Sequence, residues 1–370
     1  MIVPLKEVEV VAASGSIDAS RRWPAEWERQ DAVWFAWPQN TRTWRGHFNS
    51  VPTAFVAFVH AVAEFIPVKV LAASGRLATA AKKSLGSHVE LFDIATNDCW
   101  IRDFGPTFVH ERGEIIGIDW RFNAWGGKYP PWDDDAAAAR HLCRLAGLRR
   151  EASSLTLEGG AIEGDGRGRL LTTPVCIQTP NRNRGWSRDR IARELHRRLG
   201  VTEIVWVDGG GLEGDDTDGH IDQLARFVTP TDVVVATSSR SDDPNALGLS
   251  RNLSQLSAWA EQTSPVVTIH SLPTPPPRQI IGHRMPESYC NFLMIGEHAV
   301  IAPTFGHRKS DTRALGILRE LRPKANVVAV DASEFIWGRG AWHCASQQQP
   351  AVPQARGRAT GPASSKASEA

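Results

Sequence analysis

The stretch GLEGDDTDGHIDQLARFV (residues 211–228) sets five carboxylates, Glu213, Asp215, Asp216, Asp218 and Asp222, around a single histidine, His220. Crowded carboxylates repel and raise one another's pKa, so a metal, a set of backbone donors or a cationic substrate must offset the charge. An EF-hand does not fit, because Gly214 stands where its first Asp belongs and Ala225 where its closing Glu belongs. A metal-hydrolase site would need further histidines at a spacing such as H-E-x-x-H, and the chain has none. If HID already belongs to the strand that LARFV announces, His220 and Asp222 project from one face.

Three more loops carry chemistry-bearing types. In NDCWIRDFGP (97–106), Asp98, Arg102 and Asp103 flank Trp100. The ordinary alternative there is an Arg–Asp pair on a turn; the functional one is a carboxylate beside an aromatic face, which suits a planar cation. In LEGGAIEGDG (157–166), Glu158 precedes two glycines. It is either a solvated edge residue or the acid that orients a histidine. In GRGAWHCASQQQP (338–350), Cys344 follows His343 among Gly, Ser and Gln. Most lone cysteines are core residues, but polar, turn-like surroundings favour a reactive thiol. A further loop, HRMPESYCNF (283–292), brings Arg284 and Glu287 near an apolar strand without a role that the residues alone define. A thiol, a histidine, an orienting Glu and spare Asp residues make a nucleophilic site with an anionic pocket. A guanidinium, with five N–H donors, satisfies two carboxylates at once.

The elements that must hold these loops recur. Amphipathic helices are expected over 52–65, 134–146, 187–199, 245–261 and 311–321. Each precedes a short, mostly β-branched strand, at 68–72, 152–157, 202–207, 265–270 and 326–330. Hairpins are expected before four of the helices, turning at 112–113, 164–166, 229–232 and 296–297. The fifth would join residues 32–37 to the last strand of the chain, near His343. A strand–strand–helix–strand unit repeating every roughly 50–80 residues points to an α/β propeller with function at its centre.

Lys and Arg number 42 against 41 Asp and Glu, without the basic tract of a nucleic-acid binder. No apolar run reaches the roughly 20 residues of a membrane span, and Lys6, Glu7 and Glu9 make the N-terminus a poor signal peptide. Five scattered cysteines without C-x-x-C spacing argue against zinc or a disulfide framework and for a reduced cytoplasm. Fourteen tryptophans supply core filler and candidate walls for a flat cation.

The blocks WPAEWERQDAVWFAWPQN, NDCWIRDFGPTFV, DWRFNAWGGKYPPW, LEGGAIEGDG, LLTTPVCIQTPNRNR, GDDTDGHIDQLARFV, PESYCNFLMI and HCASQQQP occur in that order. Together they resemble the agmatine deiminase family, which is similar to the bacterial type of peptidylarginine deiminase. The resemblance covers residues 22–351. It implies a pentein fold: a five-bladed α/β propeller of ββαβ-type units around a central active site. Residues 22–351 would form one catalytic domain, with 1–21 an N-terminal extension and 352–370 a disordered tail. It implies hydrolysis of agmatine to N-carbamoylputrescine and ammonia without metal or organic cofactor. Cys344 would be the nucleophile, His220 the general acid and then base, and Glu158 the residue orienting His220. Asp103 and Asp222 would grip the guanidinium, Trp100 would pack on it, and Asp215 would be a further pocket residue. No nucleic acid or membrane partner is implied, and a homo-oligomer is compatible.

The chain departs from the family where an all-glycine run precedes its Ile-His-Cys; here Arg339, Ala341 and Trp342 intervene. Cys99 replaces a Ser, and Glu163 replaces a His-Val type pair. These departures leave three alternatives open: an arginine or peptidylarginine deiminase, an amidinotransferase, or a non-catalytic binding module. Arginine carries a carboxylate where agmatine has only an amine, so an Arg placed to meet it, Arg284 or Arg339, would favour arginine.

Overall fold

The structure, a computed structural model, describes residues 8–13 and 20–353. It is a mixed α/β fold in which, among the described residues, five sheets share one plan. Each has two antiparallel strands, then a helix, then a strand parallel to the second. One unit pairs Gln347–Pro350, from the far end of the chain, with Gln30–Ala36, and continues through helix Val51–Ala63 to Val68–Leu71. The next pairs Thr107–Glu111 with Glu114–Arg121, then uses helix Asp133–Leu145 and strand Arg149–Thr156. The third joins Ile162–Gly164, Arg169–Thr172, helix Arg188–Leu199 and Glu203–Trp206. The fourth comprises Ala225–Thr229, Asp232–Thr237, helix Ala246–Ala260 and Thr268–Pro273. The fifth comprises Leu293–Ile295, Ala299–Thr304, helix Arg308–Leu321 and Asn326–Asp331.

Local chemistry explains these elements. Helix Val51–Ala63 buries Val51, Phe55, Phe58, Val59 and Val62 at three- and four-residue steps. Each contributes roughly 1.5–3 kcal/mol on full burial. In helix Arg188–Leu199, the Ser187 side chain accepts from the Arg190 N–H at 3.3 Å, and left-handed Gly200 ends the helix. The parallel strands are apolar where they meet their helices, as in Ile204, Val205 and Trp206.

Several expectations shift. The strand expected at 265–270 begins at Thr268: Pro265 has no N–H to donate, and the Val267 N–H is taken by Thr263 Oγ1 at 2.8 Å. The N-terminal extension contributes strands, with Glu9–Ala12 pairing Glu203–Trp206 and Arg21–Arg22 pairing the strand Thr107–Glu111. Residues 1–7 and 14–19 of it, and residues 354–370 of the tail, lie outside the described residues. HID is not strand: Ile221–Gln223 is a single 3-10 turn and the strand begins at Ala225. The cause is the loop before it. Asp215 accepts from the Gly219 N–H at 2.7 Å, Thr217 Oγ1 accepts from the His220 N–H at 3.1 Å, and Gly219 sits at φ +94°.

Candidate active site

Every connection between consecutive units delivers side chains to one place. The connection at 97–104 is anchored by the first turn of helix Asp133–Leu145, where Asp135 Oδ1 accepts from the N–H groups of Asn97 at 2.7 Å and Asp98 at 3.2 Å. It then coils into the one-turn helix Ile101–Phe104, which presents Asp103 inward. Glu158 follows strand Arg149–Thr156 directly, and the loop at 211–224 brings His220 and Asp222. The connection before Leu293–Ile295 contributes Asn291, and the last one contributes Cys344. Glycines at 338 and 340 have a specific cause: a Cβ there would stand 2.8 Å and 2.5 Å from the Trp100 ring, which leans on this loop and on Trp44.

Cys344 is 4% exposed, and its Sγ accepts from Asn291 Nδ2 at 3.1 Å and lies 3.7 Å from Asp222 Oδ2. His220 is fully buried between two acids. Its Nδ1 is 3.6 Å from Asp103 Oδ1 and its Nε2 3.6 Å from Glu158 Oε2, ion-pair distances beyond hydrogen bonding. Asp103 accepts from Trp125 Nε1 at 2.9 Å and from the Gly160 N–H at 3.0 Å. Gly160 is the hub: a Cβ there would be 2.6 Å from His220 Nδ1, 2.9 Å from Asp103 Oδ1 and 3.0 Å from Asp222 Oδ2. Asp222 Oδ1 has no protein hydrogen-bond partner, although the residue is fully buried.

Charge follows from these positions. Burial alone would depress His220, but Asp103 and Glu158 outweigh it and lift it to about 9. Burial, with the repulsion of Asp222 and Glu158, pushes Asp103 up to about 6 against the pull of His220. Glu158 stays low despite burial, because Arg182 Nε holds both its oxygens, at 2.8 and 3.0 Å, and His220 adds to this. Burial and the charges of Asp222 and Asp103 hold the Cys344 thiol well above its ordinary value. A cation bound between those carboxylates would offset part of that repulsion.

A buried polar network backs the site. His343 bridges Asp222 Oδ2 at 2.8 Å and Glu26 Oε2 at 2.9 Å. Glu26 and Glu163 both pair with Arg226, at 3.0 and 2.9 Å, and Arg226 is fully buried. Arg102 donates to Gln348 at 2.7 Å and to the His343 carbonyl at 3.3 Å, so it supports the loop of Cys344 from behind. Sequence reading missed Glu26, Trp125, Arg182, Arg226 and Asn291. Arg226 had a usable signal, being a cation inside the apolar run LARFV. Asn291 had none.

A cavity of about 670 Å³ reaches Cys344, Asp103, Trp100 and Trp125 at its inner end. His220, Asp222 and Glu158 stand behind that lining. Asp215 is not among the lining residues, and its oxygens are taken by Thr217 at 2.7–2.9 Å and by the Gly219 N–H. Arg284 is engaged by Asp243 at 2.6 and 2.8 Å and also lies off the cavity, whereas Arg339 lines it. Backbone strain gathers here as well. Trp125 (φ +55°), Ile281 (φ +50°) and Arg339 (φ +70°) all line the cavity in the left-handed region.

The family described as Porphyromonas-type peptidyl-arginine deiminase matches residues 22–350. An agmatine deiminase of Pseudomonas aeruginosa is 35% identical over 358 residues, covering 90% of this chain and 96% of that one. One of Ectopseudomonas mendocina is 34% identical, covering 89% and 95%. Among solved structures, the agmatine deiminase of Enterococcus faecalis superposes with a TM-score of 0.84 at 29% identity, covering 92% of this chain and 99% of that one. The agmatine deiminase of C. jejuni gives 0.81 at 28% identity, with 90% and 97% covered. The chain belongs to the Porphyromonas-type peptidyl-arginine deiminase family.

Proposed function

We propose that this chain is an agmatine deiminase, a hydrolase of the C–N bond in a linear amidine. It converts agmatine and water to N-carbamoylputrescine and ammonia. The observation that carries the reading is the convergence of Cys344 Sγ, Asp222, His220 and Asp103 around Gly160 at the inner end of one cavity. The one-connection-per-unit pattern supports a five-bladed propeller around this centre, formed by a single domain over 22–351. The five cysteines stand as free thiols, which supports a cytoplasmic setting.

In this mechanism Asp103 and Asp222 hold the guanidinium, with Asp222 Oδ1 supplying an acceptor that no protein donor uses. The bound cation offsets part of the repulsion that keeps Cys344 protonated, the thiol proton leaves to solvent through the cavity that Cys344 lines, and the thiolate forms. Sulfur attacks the guanidinium carbon to give a tetrahedral adduct. Protonated His220 gives its proton to the departing nitrogen, the C–N bond breaks and ammonia leaves. An amidino-cysteine remains. Neutral His220 then takes a proton from water as oxygen attacks the same carbon. The second adduct collapses, the C–S bond breaks, the hydroxyl proton passes to the departing sulfur, and the ureido product leaves with the Cys344 thiol and charged His220 restored. Such proton transfers contribute about 10²–10⁴-fold. Glu158 keeps the imidazole oriented and charged, Trp100 walls the cation, and Asp215 fixes the loop that carries His220.

The test is ammonia release from agmatine by the wild type, Cys344→Ala and Asp222→Asn. Cys344→Ala should be inactive and Asp222→Asn should lose both binding and rate. Turnover persisting in Cys344→Ala would remove the mechanism.

A further inference from the structure

The outer part of the cavity is lined by four cations, Arg42, Arg45, Lys128 and Arg339, against the two carboxylates Asp98 and Asp216, an unexpected wall for a dication. Asp98 lines it, but its oxygens are taken by Thr43 at 2.5 Å, Asn40 at 3.0 Å and the Cys99 N–H at 2.8 Å. Lys128 is neutralised by Asp218 at 2.7 Å. Arg42 and Arg45 line the mouth, are exposed, and make no ion pair among the described residues. Arg339 also lines it; its ion pair among the described residues is a loose 3.8 Å contact to Asp216, which is itself held by the Tyr129 hydroxyl at 2.5 Å.

Arg339 is also oddly placed on the backbone. It holds φ +70° between Gly338 and Gly340, where a third glycine would be unstrained. A long cation kept in a strained conformation at the wall of a site points to a role for its head group. Arg284 is excluded from that role by its bidentate partner Asp243. A guanidinium seated at Cys344 sends its tail outward along the same cavity. A tail ending in a carboxylate meets the Arg339 fork, which can take it with two parallel hydrogen bonds. A tail ending in an ammonium meets a like charge. The cavity volume, about 670 Å³, is of the size that holds drug-sized ligands, so a longer or branched tail fits.

We propose that Arg339, assisted by Arg42 and Arg45, is a specificity-determining residue that admits guanidines whose tail ends in a carboxylate, alongside agmatine. This rests on the deiminase reading and extends its substrate class. The experiment compares ammonia release from agmatine and from γ-guanidinobutyrate by the wild type, Arg339→Gly and Arg339→Lys. Gly keeps the left-handed backbone without strain and removes the side chain with its head group; Lys keeps the charge and loses the fork. The wild type should turn over both compounds. Arg339→Gly should lower kcat/KM for γ-guanidinobutyrate about ten-fold or more, through loss of charge-assisted hydrogen bonds, and lower KM for agmatine. Arg339→Lys should fall between. Opposite signs on the two substrates separate recognition from a folding defect, which would lower both. If the wild type deiminates agmatine but not γ-guanidinobutyrate, or if Arg339→Gly moves both substrates in the same direction, the proposal fails and the deiminase reading stands. If γ-guanidinobutyrate turns over and agmatine does not, the agmatine reading fails and this one survives.

Discussion

Gly160→Ala adds one methyl group at the point where the His220, Asp103 and Asp222 side chains meet. Gly160 has an ordinary backbone conformation, so the substitution carries no φ/ψ penalty and its whole effect is steric. The new carbon would lie 2.6 Å from His220 Nδ1, about 0.8 Å inside the nearest ordinary contact distance of 3.4 Å. His220, Asp103 and Asp222 are all essentially buried, so none can swing into solvent. Overpacking of this kind costs roughly 1–3 kcal/mol of stability. Its catalytic cost is larger in proportion, because a displacement near 1 Å at a reacting group is worth about 10²-fold in rate. Gly159→Ala is the control. Its Cβ would stand 2.1 Å from the backbone oxygen of Arg102, an atom that moves only if the loop moves. Gly160→Ala should therefore lose about 10²-fold in kcat/KM for agmatine with a melting temperature only a few degrees down, and Gly159→Ala should lose more melting temperature. The assay is steady-state ammonia release with thermal unfolding on the same preparations. Gly160→Ala within about three-fold of wild type, or the reverse order of melting temperatures, would refute the placement of the guanidinium seat beside Gly160.

Other perturbations test other parts of the site. In the proposed mechanism Asp103 is ionised to hold the cation, so kcat/KM should fall as pH drops through about 6, and His220 is charged to protonate the leaving nitrogen, so it should fall again as pH rises through about 9. Glu158→Gln removes one of the acids that raise His220 and should move the basic limb to lower pH; an unmoved limb in a pH–rate profile would assign it to another group. Asn291→Ala removes the donor to Cys344 Sγ and should cost about 10–100-fold in kcat/KM with little change in melting, measured by ammonia release and calorimetry. Arg226→Ala strands Glu26 and Glu163 in the interior and should destabilise by about 3–5 kcal/mol, read by denaturant unfolding.

The parts of this molecule legible in sequence were those written in short-range pattern. The helix of each of the five units announced itself by apolar spacing, and strands such as Glu203–Trp206 by β-branched runs, while the helix Arg76–Leu85 went unread. The loops that converge on the cavity were legible because Asp103, Glu158, His220 and Cys344 are costly residue types near glycines. What failed to show was long-range. Nothing near Asn291 says that it will meet Cys344, 53 positions later, because that meeting depends on how two connections converge. Glu26 is equally silent, since its partners Arg226 and His343 lie 200 and 317 positions away. HID was misread as strand because its alternation is right for one. The bonds from Asp215 and Thr217 that bend it into a turn are side-chain to backbone, and periodicity does not see them.

In the proposed mechanism the Asp103 and Asp222 carboxylates do two things that would conflict in a simpler pocket. They would attract the cation, and they also push the neighbouring Cys344 thiol up, so the proposed nucleophile is suppressed at rest by the groups proposed to recruit the substrate. In that mechanism one planar cation bridging the two carboxylates offsets part of their charge, so the hold on the thiol weakens as a consequence of binding. Activation of Cys344 is thereby tied to a ligand of the right charge at the right depth, and a neutral amide reaching the same sulfur gains nothing. The buried network behind the site keeps this arrangement in place. His343 locks one oxygen of Asp222, Trp125 and the Gly160 N–H lock Asp103, and Arg182 holds Glu158. The orientation of each acid is thus fixed before substrate arrives, and the binding energy of the guanidinium goes into charge neutralisation in place of side-chain ordering.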